Sequence, residues 1–415
     1  MNIFNNLLSK QESICIIGLG YVGLPLATLF SEKINVIGYD LDKDKIEKYK
    51  SQYKKMFFTD KLNQIKNCSC YIIAVPTPID ENNRPDLNCV IKATENISKI
   101  LKANDLVIYE STVYPGVTEN ICVPIIERNS KLRYNKDIFI GYSPERINPN
   151  DKIHNLKNTT KIVAGCNKTI TKEMKKIYGM IIENVYEADN IKTAEAAKLI
   201  ENTQRDVNIA LMNEFENLCE KLDINIYHVI KAARTKWNFY ECYPGLVGGH
   251  CISVDPYYYI ALAEKLNVGS NIVQTARHIN ENMVNKIVKI IIDELQKNEG
   301  NKILIMGITY KANIDDIRNS KVLDIIDKLQ QMGIETFVYD NLANRKALKN
   351  KKLHFVDFDN INNVNLILFS VMHDEFKKIP IQKIEKKFKN NPIIIEIGET
   401  LKDKCDYNKI KYISI

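Results

Sequence analysis

The feature that most constrains the fold of this chain is an alternation of short apolar runs with helix-like stretches, opened by a fixed pattern of glycines. Residues 13–17 (Ser-Ile-Cys-Ile-Ile) form an apolar run, Gly18-Leu19-Gly20-Tyr21-Val22-Gly23 follows, and a helix-like stretch leads to a second apolar run ending at Asp40. That order is strand, turn, helix, strand, the content of one βαβ unit. Further short runs at residues 71–75, 106–110 and 138–142 are separated by helical or polar segments, which predicts a parallel, doubly wound sheet. From about Thr193 the period lengthens. Ile200, Val207, Leu211, Phe215, Leu218 and Leu222 recur at helical spacing as one apolar stripe, the mark of a central helix joining two lobes and possibly two subunits. Strand-like runs return at residues 303–307, 334–339, 364–371 and 393–397, and Val338-Tyr339-Asp340 echoes Gly38-Tyr39-Asp40. The expected architecture is α/β, with two doubly wound Rossmann-like domains joined by a long central helix. The second lacks the glycine fingerprint, so no second dinucleotide is expected there.

In the fingerprint, Gly18 permits the tight turn, Gly20 lets backbone approach a pyrophosphate, and Gly23 lets helix and strand pack closely; Tyr21 and Val22 lie between them. The helix N-terminus that follows offers unpaired N–H groups and partial positive charge to the phosphates. Asp40 ends the next strand, where a carboxylate can bond ribose hydroxyls and repel a 2′-phosphate. The expected cofactor is therefore NAD rather than NADP, although Lys43 and Lys45 stand nearby. Val75-Pro76-Thr77-Pro78 and Ser111-Thr112-Val113-Tyr114-Pro115-Gly116 also follow strands, and Thr77 and Thr112 are candidate cofactor contacts against the plainer reading of turn chemistry.

Composition excludes several other classes. Apolar content of 45% and charged content of 26% are those of an ordinary globular protein. The net charge of +7 comes from scattered lysines without the aromatic interleaving of a nucleic-acid groove, so no nucleic-acid partner is expected. Ten cysteines at irregular spacing form no disulfide framework and no metal-site pattern. No leader and no apolar run approaching about 20 residues is read, so no membrane association is expected. A cytoplasmic location follows from the cysteine usage as an expectation.

One cysteine differs from the rest. In Pro244-Gly245-Leu246-Val247-Gly248-Gly249-His250-Cys251, the thiol stands behind three glycines, and Asp255 precedes a proline four residues on. A loop position beside an ionisable group favours a nucleophile over a buried structural thiol. His250 is an unconvincing base for it, because sequence neighbours point apart. On the long helix, Lys198, Asn202 and Arg205 lie within about 60° of one another at about 100° per residue, opposite the stripe beginning at Ile200. Such a face is either solvated or the floor of a cleft.

At these residues the chain resembles the UDP-glucose/GDP-mannose dehydrogenases, which oxidise a nucleotide sugar at C6 with NAD. The resemblance runs nearly end to end, through residues 18–23, 75–78, 111–116, Ser143-Pro144-Glu145-Arg146, residues 194–210 and 245–256, Gly307-Ile308-Thr309-Tyr310-Lys311, and Arg318-Asn319-Ser320. It implies an NAD-binding domain at 1–192, a central helical and dimerisation domain carrying the catalytic loop at 193–298, and a UDP-sugar-binding domain at 299–415, assembled as a homodimer. It further implies Cys251 as nucleophile, with charge stabilisation and proton transfer by Lys198, Asn202 and Asp255. Glu145 is implied in thioester hydrolysis, Thr112 at the catalytic site, and Glu145, Arg146, Lys198, Asn202, Arg205, Gly248, Lys311 and Arg318 in substrate binding. Leu246-Val247, His250, Ser253 and Val254 depart from the broad family pattern around the sugar pocket.

The expected substrate is a UDP-N-acetylhexosamine, the gluco or galacto epimer, in surface polysaccharide synthesis. The segment Thr235-Lys236-Trp237-Asn238-Phe239 together with the loop at 243–251 resembles 6-dehydrogenases of the Vi-antigen and O-antigen type. Trp237, the only tryptophan, offers a surface for the acetamido methyl and Asn238 a partner for the amide, against the alternative that Trp237 packs under the central helix. UDP-glucose and UDP-N-acetylmannosamine stay open as substrates. A two-electron hydroxy-acid dehydrogenase has no need of Cys251 or of residues 302–415, and a non-catalytic NAD or nucleotide-sugar-binding regulator has no need of the polar helix face.

Overall fold

The computed structural model describes residues 2–147, 153–348 and 352–415. The chain divides into two compact units, residues 1–201 with 257–268, and residues 202–256 with 269–415.

The first unit is built on an eight-stranded sheet: β1 (Ser13–Ile17), β2 (Asn35–Tyr39), β3 (Phe57–Thr59), β4 (Cys70–Ile73), β5 (Leu106–Tyr109), β6 (Phe139–Tyr142), β7 (Lys161–Gly165) and β8 (Val185–Glu187). Their order across the sheet is β3-β2-β1-β4-β5-β6-β7-β8, parallel throughout except where β7 runs antiparallel to β6. The strands read as continuous apolar runs because both faces are covered. Cys15, Ile17, Tyr71 and Ile73 pack into one layer, while Ile14, Ile16, Cys70 and Ile72 pack into the other. The strand order reverses between β1 and β4, which opens the crevice where ligands bind in such sheets.

The second unit repeats the plan with six parallel strands: β9 (Lys302–Met306), β10 (Glu335–Tyr339), β11 (His354–Phe355), β12 (Leu366–Phe369), β13 (Ile393–Glu396) and β14 (Lys411–Ser414), in the order β11-β10-β9-β12-β13-β14. Ile303, Ile305, Leu366 and Leu368 face one core layer; Leu304, Met306, Ile367 and Phe369 face the other. Long helices Ile191–Lys221 and Asn271–Lys297 complete the α-helical part. Among the described residues, no helix is long and apolar enough to cross a membrane.

The helix Ile191–Lys221 departs from the sequence expectation in which face it buries. Ile200, Leu211, Phe215, Leu218 and Leu222 are exposed, Ile200 to 69%. The buried face is instead mixed, with Glu195, Lys198, Asn202, Asp206 and Asn213 beside the small or apolar Ala194, Leu199, Ala210 and Cys219. The periodicity is helical as expected, but the apolar stripe lies on the surface of this chain.

Candidate active site

In the first unit, Gly18 adopts φ +90°, and a Cβ there would stand 2.7 Å from the Ala74 carbonyl oxygen. A Cβ on Gly23 would collide with the Gly18 carbonyl oxygen, whereas Gly20 faces open space. The cradle is thus closed on the protein side and open where a pyrophosphate would lie. Asp40 follows β2 and accepts Leu19 N–H at 2.8 Å on one oxygen and Asp42 N–H at 3.0 Å on the other. Each oxygen keeps a lone pair for a ribose hydroxyl, so these residues fit NAD. Lys45 Nζ stands 3.8 Å from Asp40. Tyr21 is exposed, while Val22, Thr77 and Thr112 are half-buried. The two loops bearing the threonines are joined by Ser111 Oγ donating to the Val75 carbonyl at 2.7 Å.

The Thr112 loop is also held from the long helix. The Glu195 carboxylate, fully buried, accepts Gly116 N–H at 2.6 Å and Thr118 N–H at 3.0 Å. Burial pushes this carboxyl up to about 7 against the pull of those N–H groups. Lys198 follows one turn later and is buried.

Ser143-Pro144-Glu145-Arg146 leaves the end of β6 and is fixed at every polar side chain. Ser143 Oγ donates to the Ile162 carbonyl at 2.8 Å, and the Arg146 guanidinium holds Glu201 and the Thr160 carbonyl, each at 2.7 Å. Glu145 Oε1 accepts the N–H groups of Arg146 and Ile147, each at 2.7 Å, and Oε2 lies 3.2 Å from Lys161 Nζ.

In the second unit, Cys251 is half-buried, unlike Cys15, Cys68, Cys70, Cys122, Cys219 and Cys405, which are buried. Its carbonyl accepts Asp255 N–H at 2.8 Å and Val254 N–H at 3.0 Å, so it opens the helix Asp255–Lys265. Asn202 Nδ2 donates to Asp255 Oδ2 at 2.6 Å, with both residues buried. Asn213 pins the glycine loop by accepting Gly245 N–H at 2.8 Å and donating to its carbonyl at 3.1 Å. Gly249, at φ +86°, has no room for a Cβ, which would stand 2.8 Å from the Tyr310 ring; at Gly248 it would stand 2.8 Å from the Asn319 carbonyl. These glycines admit protein neighbours closely.

His250 lies edge-on to Tyr310, with Nδ1 3.9 Å from Asp316. The Tyr310 phenol is pushed up to about 12 by burial and then by the charges of Asp316 and Cys251. A cavity of about 280 Å³ opens between the glycine loop and the C-terminal ends of β9, β12 and β13, lined by Gly245, Gly248, Thr309, Tyr310, Lys321 and Ser370 among others. Gly248 is among its lining residues, Lys311 and Arg318 are not, and Arg318 forks onto Asp316. Arg205 is exposed, apart from the buried Asn202–Asp255 pair. Trp237 is 92% exposed, which overturns the alternative that it packs under the long helix, and neither it nor Asn238 lines the cavity. Among the described residues, no group of three or more His, Cys, Asp or Glu side chains is placed to hold a metal ion.

Models of one family match nearly the whole chain: its NAD-binding domain at residues 12–57 and 50–186, its central domain at 192–282, and its UDP-binding domain at 304–403. The chain belongs to the UDP-glucose/GDP-mannose dehydrogenase family. It is a UDP-sugar dehydrogenase, an oxidoreductase with NAD as cofactor. Protein CapL of Staphylococcus aureus is 42% identical, over 88% of this chain and 91% of its own. UDP-N-acetyl-D-glucosamine 6-dehydrogenase of Pseudomonas aeruginosa is 40% identical, over 96% of this chain and 99% of its own. Among solved structures, UDP-D-ManNAc dehydrogenase from Pyrococcus horikoshii is similar at a TM-score of 0.88 and 29% identity, covering 97% of this chain and 99% of its own.

Sequence reading missed several buried polar residues of this family member: Glu195, Asp206, Asn213, and the Glu110–Lys161–Tyr178 group. For the first three the signal was present, since Glu195, Lys198, Asn202, Asp206 and Asn213 recur at helical spacing. Nothing local marks the last group, whose members come from separate elements.

Proposed function

We propose that this enzyme oxidises C6 of a UDP-N-acetylhexosamine, UDP-N-acetylglucosamine or UDP-N-acetylgalactosamine, to the uronate in four electrons through a covalent intermediate on Cys251. Residues 1–192 bind NAD, 193–298 carry the nucleophile, and 299–415 bind the UDP-sugar. The observation that carries this reading is the Asn202–Asp255 bond beside a half-buried Cys251 at a helix start. When bound, NAD supplies the hydride acceptor for both oxidations. The C6 alcohol loses a hydride and a proton to give an aldehyde, to which the Cys251 thiolate adds. Lys198 and Asn202 stabilise the resulting oxyanion. Loss of a second hydride gives a thioester; water then adds at the acyl carbon, the C–S bond breaks, and the thiol returns as the carboxylate leaves. Asp255 and Glu145 orient that water. Because the aldehyde stays tethered to Cys251 between oxidations, it does not accumulate.

Support for an acetamido sugar comes from relatives named for UDP-N-acetylglucosamine and for UDP-N-acetylmannosamine alike, and support for the gluco or galacto epimer from 40% identity to the former against 34% to the latter. Trp237 and Asn238, far out on the surface of this chain, do not add to it. The proposal extends to a role in surface polysaccharide synthesis in the cytoplasm. A homodimer accords with the exposed residues Leu211, Phe215, Leu218 and Leu222, since contiguous apolar surface of this kind marks interaction sites. Steady-state comparison of UDP-glucose with the N-acetyl gluco, galacto and manno sugars tests the assignment. The highest kcat/KM is expected for the gluco or galacto epimer, and a highest value for either other sugar overturns it.

A further inference from the structure

The mechanism leaves one buried ionic group without a task. Lys161 begins β7 with its ammonium buried, 3.0 Å from Glu110 at the end of β5 and 3.2 Å from Glu145 in the loop after β6. Glu110 also accepts the hydroxyl of buried Tyr178, whose ring centroid lies 5.5 Å from Lys161 Nζ. An ammonium so deep is stable only while paired, and two carboxylates around one ammonium leave one excess negative charge. Glu110 and Glu145 resolve that excess differently. Burial raises the Glu110 carboxyl despite Lys161, and the nearby Glu145 charge adds to the rise. Burial also works to raise Glu145, but Lys161 and the N–H groups of Ile147 and Arg146 together hold it below the usual range. Glu145 is therefore the more acidic of the two carboxyls. A carboxylate has about four acceptor positions. Among the described residues, Arg146 N–H, Ile147 N–H and Lys161 take three of them, which leaves one lone pair, on Oε2, the oxygen that Lys161 holds.

We propose that Lys161 is a positioning residue for the hydrolytic half of the reaction: clamped by Glu110, its ammonium fixes the Glu145 carboxylate so that the remaining Oε2 lone pair accepts a hydrogen bond from the attacking water. The inference rests on the reading of Glu145 as the residue that orients this water. The step is balanced without a co-reactant: hydroxide from water goes to the acyl carbon, the C–S bond breaks, and the other proton of that water ends on the Cys251 sulfur. The charged and titratable groups facing the pair are Glu110 on β5's end and Tyr178 on the helix Lys168–Tyr178, while the Arg146 guanidinium is turned to Glu201.

The test follows the acyl-enzyme on Cys251 by rapid quench and mass spectrometry, with UDP-N-acetylglucosamine and NAD across pH, in wild type, Lys161→Met, Glu110→Gln and Glu145→Gln. Without Lys161, burial of Glu145 is uncompensated and its carboxyl rises, so the acid limb of hydrolysis moves to higher pH. At a fixed pH on that limb, hydrolysis slows about tenfold for each pH unit the limb moves. The first NADH burst and NAD affinity stay at wild-type values. Glu110→Gln removes the carboxylate competing for Lys161 and moves the limb to lower pH, which gives a reading even where Lys161→Met does not fold. Glu145→Gln accumulates acyl-enzyme at every pH. If Glu145→Gln stalls while Lys161→Met and Glu110→Gln keep the wild-type limb, the Lys161 inference alone falls. If Glu145→Gln hydrolyses at the wild-type rate, the reading of Glu145 falls with it.

Discussion

At the scale of single residues, the proposed chemistry turns on a thiol at a helix start and on carboxylates whose surroundings differ. Replacing Cys251 by alanine is expected to abolish net oxidation by at least about four orders of magnitude while leaving NAD affinity unchanged, because the Gly18–Gly23 cradle and Asp40 belong to the other unit. Isothermal titration with NAD and an NADH assay check both halves, and near-normal turnover would remove the covalent route. Glu195 supplies a pH signature. Its folded value of about 7 lies above that of a free carboxyl, so its contribution to stability is fully present at acid pH and is lost as pH rises through about 7. Wild type should therefore lose up to roughly 3 kcal/mol relative to Glu195→Gln between about pH 4 and about pH 8. Chemical denaturation at several pH values measures this, and parallel stability curves would contradict it. The glycines, Asp40, Lys198, Asn202, Cys251 and Asp255 were all legible in the sequence as types at telling spacings. Glu110, Lys161 and Tyr178 were not, because their contacts join residues 51 and 68 positions apart and no local pattern records such pairs.

At the scale of elements, β1, β2, β4, β5, β6, β9, β10, β12 and β13 were read in the sequence, because they are continuous apolar runs bounded by turns. β7 was not, although buried throughout, because it offers only a short apolar run behind Lys161; β3, β8, β11 and β14 were not because they are short or partly exposed. The helix Ile191–Lys221 shows the limit of periodicity: spacing identifies a helix and a stripe, but not which side faces a core within one chain. Its polar side is buried because Asp206 meets Arg277 at 2.6 Å and Asn213 meets Asn280 at 2.8 Å, pairings invisible to a hydrophobic count. If the exposed stripe covers a second copy, Phe215→Asp places a charge in that interface. It should shift the protein from dimer to monomer in sedimentation velocity while changing the stability of a single subunit by less than about 0.5 kcal/mol, as exposed substitutions do. An unchanged sedimentation coefficient would show that the stripe is not the dimer surface.

At the scale of the molecule, one plan is used twice with different outcomes. Asp340 ends β10 as Asp40 ends β2, and it accepts Ile308 N–H at 2.7 Å as Asp40 accepts Leu19 N–H. Asp340 is also enclosed, accepting Leu342 and Ala343 N–H and pairing with buried His373 at 3.2 Å. The repeat thus turns a ribose-facing carboxylate into an internal brace, which accounts for a second doubly wound fold without the glycine fingerprint. On the proposed mechanism one cofactor site serves one thiol and one sugar, so NAD must exchange between two oxidations while the intermediate stays attached. The most direct test is the ratio of NADH formed to UDP-N-acetylglucosamine consumed by purified enzyme, measured by absorbance and by chromatography of the sugar nucleotide. The account predicts two NADH per uronate with no free aldehyde; a ratio of one, with aldehyde released, would contradict it.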